Sequence, residues 1–278
     1  MENIFLTEAD DPIDIRRDNV FKAVFTKDTP ESTGALSKLV SALIGRDVTI
    51  ISILANEPPI ENLRDRQIRF DIRCRAENGE LANVEMCLNP DVYEPIRLEF
   101  YTARLFGGQD IRGSDSSYND LKQTYQIAIL ANRKFIADNE YYHTFLYYDP
   151  IRGIPLDGRT QIITLELSKL DEIVEKPIQD MTVSERWAVF FEYLTDRKRR
   201  DKINSIAESE EGIAMASHVL MNVSKDEAER ARLESEYKYQ MDLQSQLVTA
   251  KRERDKEILE MINQGSTLDE LKQHLEKD

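Results

Sequence analysis

Two runs of strict alternation joined at Asn78-Gly79 constrain this chain more than any other feature of its sequence. In QIRFDIRCRAENGELANVEMCLN, residues 67–89, Ile68, Phe70, Ile72 and Cys74 alternate with Arg69, Asp71, Arg73 and Arg75. Beyond the turn, Ala82, Val84, Met86 and Leu88 alternate with Leu81, Asn83, Glu85 and Cys87. A period of two predicts two half-buried strands of a hairpin. Cross-strand partners share a face, and a slip of one residue would set apolar positions against polar ones. The apolar sets therefore predict Ile72 opposite Val84, Phe70 opposite Met86, Ile68 opposite Leu88 and Cys74 opposite Ala82. That register needs a three-residue loop, Glu77-Asn78-Gly79, with Gly79 in the left-handed position.

The same register sets Asp71 opposite Glu85, with Cβ atoms about 4.5–5.5 Å apart. Two carboxylates this close raise each other's pKa unless a cation shares them. Oxygen ligands with open positions suit Mg²⁺ or Mn²⁺, which activates water and neutralises charge on a phosphate. Arg69, Arg73 and Arg75 lie on the same face, where arginines hold phosphates. Spacing alone fits equally a solvated polar face, on which Asp71 and Glu85 pair with Arg69 or Arg73.

Around the hairpin, helical and strand-like segments alternate. DNVFKAVFT places Val20, Phe21, Val24 and Phe25 at helical spacing after Asp18, an N-cap type. Pro30 and Gly34 interrupt the pattern before a second helix, TGALSKLVSALIG, and DVTIISILAN reads as a strand. EPIRLEFYTARLFGG follows the hairpin as a helix with Ile96, Phe100, Ala103 and Leu105 on its apolar side. TYQIAILAN, YYHTFLYYD and QIITLELSKL are further strands, bounded by Asp149-Pro150 and Asp157-Gly158. The order predicts a mixed α/β core over residues 1–170. Residues 171–224 read as helices packed on or following it. There, Trp187 with Phe190 and Phe191 reads as helix core, and Arg197 to Arg200 as a solvated corner or a guide for a DNA backbone.

Residues 225–278 are dense in charge, with Leu233, Tyr237, Met241, Leu247 and Ile258 spaced along them. They predict a long exposed helix, a short capped terminal helix from Ser266 or Thr267, and an arm through which copies of the chain could pair.

Composition narrows the function. With 278 residues, 41% of them hydrophobic, the chain can bury a core, and its net charge of -15 opposes casual adhesion to nucleic acid. No apolar run approaches the length of about 18 residues that spans a bilayer, and the first residues are acidic. The expectation is a cytoplasmic protein with no membrane contact. Cys74 and Cys87 fall on opposite faces of one sheet and predict no disulfide, and His143, His218 and His274 lack zinc-site spacing.

RFDIRCRAENGELANVEM, preceded by DNVFKAVF and followed by RLEFYTARLFGGQDIRGSDSSYNDLKQTYQIAIL, resembles the PD-(D/E)XK nuclease family transposases, the group that includes the Rpn recombination-promoting nucleases. The likeness continues through YYHTFLYYDP, ITLELSKL and VSKDEAER. It implies a restriction-endonuclease-like core, a mixed sheet flanked by helices with an α-helical C-terminal extension, whose second and third strands carry the acidic pair. It also implies that Asp71 and Glu85 bind the metal with the backbone carbonyl of Met86. Asp18 matches an acidic ligand on the first helix and competes with its own role as an N-cap. The implied reaction is metal-dependent hydrolysis of DNA phosphodiesters, of the type associated with transposition or recombination.

The departure is at position 87, where the superfamily has Lys and this family commonly Gln. Cys87 can neither orient water nor stabilise negative charge well, which makes a catalytically weakened relative that binds DNA or protein the alternative. A thiol nucleophile at Cys87 would need a histidine that the sequence does not place beside it. Arg97 and Tyr101, one helical turn apart, share a face and either reach DNA or brace the acids, while Arg97 is equally placed to pair with Glu94 or Glu99. Tyr118, Tyr125 and Gln126 resemble family positions without an assigned chemistry.

Overall fold

The structure is a computed structural model that describes residues 6–55, 70–109 and 117–267. Residues 1–230 form one compact unit and residues 231–278 a second. The first unit opens with helices α1 (Asp18–Phe25) and α2 (Pro30–Ile44), then strands β1 (Ile50–Ile53), β2 (Ile72–Ala76) and β3 (Leu81–Cys87), and helix α3 (Glu94–Gly107). Strands β4 (Thr124–Leu130), β5 (Tyr142–Phe145), β6 (Tyr148–Asp149), β7 (Ile154–Pro155) and β8 (Thr160–Glu166) follow. Helices α4 (Val183–Tyr193), α5 (Arg200–Ser209) and α6 (Glu211–Lys225) complete it, and α7 (Glu227–Asn263) leads into the second unit.

Six strands form one mixed sheet in the order β1-β2-β3-β4-β8-β5, flanked by helices, an α/β restriction-endonuclease-like fold. β1, β2 and β3 are antiparallel neighbours, β3, β4 and β8 run parallel, and β5 closes the edge antiparallel. The parallel centre explains why TYQIAIL is nearly continuous in apolar residues, because a parallel strand covered on both faces has no side to leave polar. All seven residues of β4 are buried. β6 and β7 pair apart from this sheet.

The hairpin has the predicted register over its paired length, with Ile72 opposite Val84 and Cys74 opposite Ala82. Ala76 N donates to Glu80 O, Gly79 N donates to Ala76 O, and Gly79 takes φ +86°, a conformation that costs glycine least. Two expectations about the hairpin fail. Phe70 lies before β2 and packs with Leu81, Leu105 and Tyr101 instead of facing Met86. β3 is buried along both faces, since α3 covers the side read as solvated. Ile68 and Arg69 lie outside the described residues.

Helix α3 also turns differently. Its buried face is Glu94, Leu98, Thr102 and Leu105, while Ile96 and Phe100 are 64% and 48% exposed and Ala103 is exposed too. Leu98 packs on Ala128 and Leu130, and Leu105 on Phe70 and Leu81. Pro30 starts α2 at its first turn, capped by Thr29, rather than interrupting it, because a missing amide proton costs nothing there. Asp18 is not a cap either: Arg17 holds the cap position, its side chain making no capping bond to the helix, and Asp18 is the first helical residue.

α4 buries Trp187, Phe190 and Phe191 against Phe21 and Phe25 of α1, as a core aromatic cluster. The basic run after it is partly engaged. Arg200 is buried and donates to the carbonyls of Thr7 and Asp10, and Arg199 pairs with Glu175 at 2.9 Å and lies over Tyr193. Arg197 and Lys198 are exposed, as a solvated corner requires, with Arg197 facing the exposed Asp11 at 4.0 Å. In the second unit, α7 leaves Tyr239, Met241, Leu243, Leu247 and Val248 exposed. The residues of the terminal helix from 268 onward lie outside the described residues.

Candidate active site

Asp71 and Glu85 come together where α1, β2, β3 and α3 meet. Asp71 occupies the bend just before β2, and its Oδ2 accepts the backbone amide of Met86 at 3.2 Å. Its Oδ1 lies 3.0 Å from Lys22 Nζ. The same ammonium reaches Asp18 Oδ1 at 2.8 Å, since residues 18 and 22 stand one turn apart on the face of α1 opposite Val20, Phe21, Val24 and Phe25. The carboxylate of Asp18 is thus spent on the site and not on the helix end.

Glu85 is 2% exposed on β3. Its Oε1 accepts Asn83 Nδ2 at 2.8 Å, and that amide also donates to Gln126 Oε1 on β4 at 3.0 Å. Strand pairing sets Asn83 opposite Gln126, so a buried polar track behind Glu85 follows from the parallel register. Glu85 Oε2 accepts no hydrogen bond among the described residues and faces Arg97 of α3 at 3.6 Å. Arg97 is anchored on Glu94 at 2.7 Å and passes 5.8 Å from the Tyr101 ring centroid, which itself meets Phe70 edge to face. Of the alternatives for Arg97, the partners are therefore Glu94 and Glu85, not Glu99.

Burial dominates the electrostatics. It lifts the Asp71 pKa to about 6, with Asp18 adding to the rise and Lys22 opposing it. Glu85 is raised to about 8 by burial and then by Asp71, against the pull of Arg97. A buried Glu85 and a partly buried Asp71 resist ionising together, and Glu85 Oε2 accepts no hydrogen bond among the described residues, so a cation beside them would favour both charged forms. A site of two carboxylates fits Mg²⁺ or Mn²⁺, which keep waters and bind substrate oxygens rather than filling a protein cage. No group of three or more His, Cys, Asp and Glu side chains arranged to hold a metal stands among the described residues.

Cys87 points its Sγ toward Glu94 Oε2 at 3.9 Å, and burial followed by Glu94 pushes its thiol up to about 12. Both effects favour the protonated thiol at neutral pH and oppose a thiolate nucleophile. Cys74 is buried on the other face of the sheet, and both cysteines are free. Arg73 lies 5.9 Å from the Phe70 ring centroid with its Nε buried and without a hydrogen bond among the described residues. Tyr118 is exposed on a short 3-10 turn, while Tyr125 accepts a bond from Arg46 and lies away from the acids.

Two residues at this site were not singled out from the sequence, Lys22 and Asn83. Asn83 reads there as the polar side of a strand, whereas Glu94 is already named as a partner for Arg97. The one available signal was parity, which places Asn83 on the same face as Glu85.

A mixed sheet flanked by helices, with Asp71 at the entry to its second strand and Glu85 on its third, defines a restriction-endonuclease-like fold. The model of the PD-(D/E)XK nuclease family transposases matches residues 15–250, and the chain belongs to that family. Its function is therefore related to nuclease and transposase activity. No curated protein and no solved structure matches the chain. Among the described residues no helix is long and apolar enough to cross a membrane.

Proposed function

We propose that the protein is a metal-dependent DNA endonuclease, hydrolysing phosphodiester bonds in a reaction associated with transposition or recombination. The observation that carries this reading is the convergence of Asp71 with buried Glu85, both raised in pKa, in a chain of a nuclease family. Asp71, Glu85 and the Met86 carbonyl would hold Mg²⁺ or Mn²⁺, with Asp18 at the rim. The ion supplies Lewis acidity toward water and the scissile phosphate.

The remaining work belongs to the chain. Asn83 holds one oxygen of Glu85 so that the other stays turned toward Arg97 and the open site. Glu94 tethers Arg97 through Nε and Nη2, fixing a partly exposed positive charge beside Glu85 where a DNA phosphate can approach. Arg73 and Tyr101 flank the same sheet face and extend the contact along the backbone.

Plasmid DNA incubated with purified protein and Mg²⁺ or Mn²⁺ tests the reading. Nicking by wild type that disappears in Asp71→Ala and Glu85→Ala is expected. No nicking, or equal nicking by both variants, overturns it.

Position 87 supports a second reading, a weakened relative that binds DNA or protein without cutting, because a protonated thiol turned to Glu94 offers the site no strong donor. A silent wild type whose Cys87→Gln variant cuts would establish it. In either reading α7 is proposed to pair with a second copy through its exposed apolar residues. Light scattering on a chain ended after Arg230 gives the answer, an unchanged mass excluding α7 as the contact.

A further inference from the structure

We propose that Lys22 delivers from α1 the cation that β3 lacks at position 87, acting as a catalytic residue on the water or the scissile phosphate beside Asp71. This deepens the nuclease reading and rests on it.

The geometry singles Lys22 out. Its Nζ is 3.0 Å from Asp71 and 2.8 Å from Asp18, and with Arg97 it is one of the two cations that touch the acids among the described residues. Arg97 is committed to Glu94 through two hydrogen bonds. Lys22 sits on the polar face of α1, whose opposite face already fills the core, so packing does not require a lysine there. Pairing with the half-exposed Asp18 alone would be a weak surface contact, whereas reaching Asp71 as well sets the ammonium between two carboxylates at the rim of the site.

The chemistry needs this charge. Asp18, Asp71, Glu85 and Glu94 bring four carboxylates against Lys22 and Arg97, and a phosphodiester adds negative charge that grows as water attacks. An ammonium has three rotatable donors and no acceptor. It can keep one on Asp71 and turn another to the incoming oxygen or a phosphate oxygen. As the bond from water to phosphorus forms, the bond to the leaving sugar oxygen breaks. The proton lost by the water is replaced by one that solvent returns to the leaving oxygen. Lys22 exchanges no proton and acts through charge and position.

The position of Cys87 is then no sign of decay: a lysine one helix away serves the role of one on the strand. Transplanting the charge back is the experiment. Wild type, Lys22→Met and the double variant Lys22→Met, Cys87→Lys are compared for nicking with Mn²⁺, for Mn²⁺ affinity by calorimetry, and for melting temperature. Nicking by Lys22→Met should fall on the order of 10²–10³-fold, with Mn²⁺ binding no weaker than wild type, since a competing cation has left the carboxylates. The double variant should regain about tenfold or more of the lost rate, which a merely structural lysine would not allow. Lys22→Gln, closer in shape, gives the same comparison if methionine disturbs the fold.

Nicking by Lys22→Met near the wild-type rate overturns the proposal, as does a loss of Mn²⁺ binding that parallels the loss of nicking, or a double variant as slow as the single one. Failure of the nuclease reading looks different. There the wild type itself does not cut, and Asp71→Ala leaves Mn²⁺ binding unchanged, and the role of Lys22 falls with it.

Discussion

The backbone amide of Met86 donates to Asp71 Oδ2 at 3.2 Å, so the strand that carries Glu85 also aims the carboxylate that precedes its neighbour. One oxygen of Asp71 is thereby occupied and the other is left to Lys22 and any cation beside it. Asp71→Asn keeps the shape but offers that position an amide without a charge. It should abolish nicking and weaken Mn²⁺ binding at least tenfold, while the melting temperature holds or rises, because a buried charge with a raised pKa has been removed. Calorimetry and a thermal melt in EDTA check both halves.

The raised pKa values make a stability prediction with a definite sign. Asp71 at about 6 and Glu85 at about 8 hold protons in the folded chain that carboxyls of ordinary pKa, 3.8 and 4.5, have given up once unfolded. Between about pH 5 and 8 the unfolded state therefore binds fewer protons, and metal-free stability falls as pH rises. The contribution is complete below the unfolded values and is lost through the folded ones. Glu85→Gln should flatten the slope of melting temperature from pH 6 to 8.5 relative to wild type. Equal slopes would show that Glu85 titrates normally.

What the sequence made legible follows from where its information is local. Parity gives the register over Ile72–Arg75 and Leu81–Val84, because one slip would invert every side chain, and Gly79 confirms the loop through its positive φ. The face of α3 was misread because Ile96, Phe100 and Ala103 also recur at near-helical spacing. The contact with Ala128 and Leu130 that selects Leu98 joins segments about thirty residues apart. Lys22 was invisible for a similar reason. Nothing within α1 says that its polar face meets residue 71, and only the packed sheet brings them together.

That correction to α3 can be checked energetically. Leu98 is fully buried on the sheet, so Leu98→Ala should cost about 2–5 kcal/mol of unfolding free energy. Ile96→Ala on the exposed side should stay within about 0.5 kcal/mol. Urea denaturation of the two variants separates the faces, and the reverse ranking would restore the face expected from spacing.

Cys87 offers a sharp test of what it does not do. With its thiol pushed up to about 12, almost none is thiolate at pH 7.5, and it points toward Glu94. Cys87→Ser preserves size and a weak donor, so nicking should stay within a few-fold of wild type, and a thiol-directed alkylating reagent should react slowly. A large loss in the serine variant together with rapid alkylation would assign the sulfur a chemical role.

Asn83 connects the sheet interior to the site, and its loss should be felt in both stability and chemistry. Its amide donates to Glu85 and to Gln126, and all three side chains are buried. Asn83→Ala leaves two acceptors without this donor, a change that costs about 1–3 kcal/mol for a buried group. It also removes the bond that holds Oε1, so Glu85 is free to swing its Oε2 away from its present place facing Arg97. Nicking should fall more than tenfold with Mn²⁺ affinity reduced, whereas Gln126→Ala, one bond further from Glu85, should lower stability with a smaller effect on rate. Comparing the two variants by denaturation and by nicking separates support of the sheet from orientation of the carboxylate. Equal rate losses would show that the whole track, and not Asn83, positions Glu85.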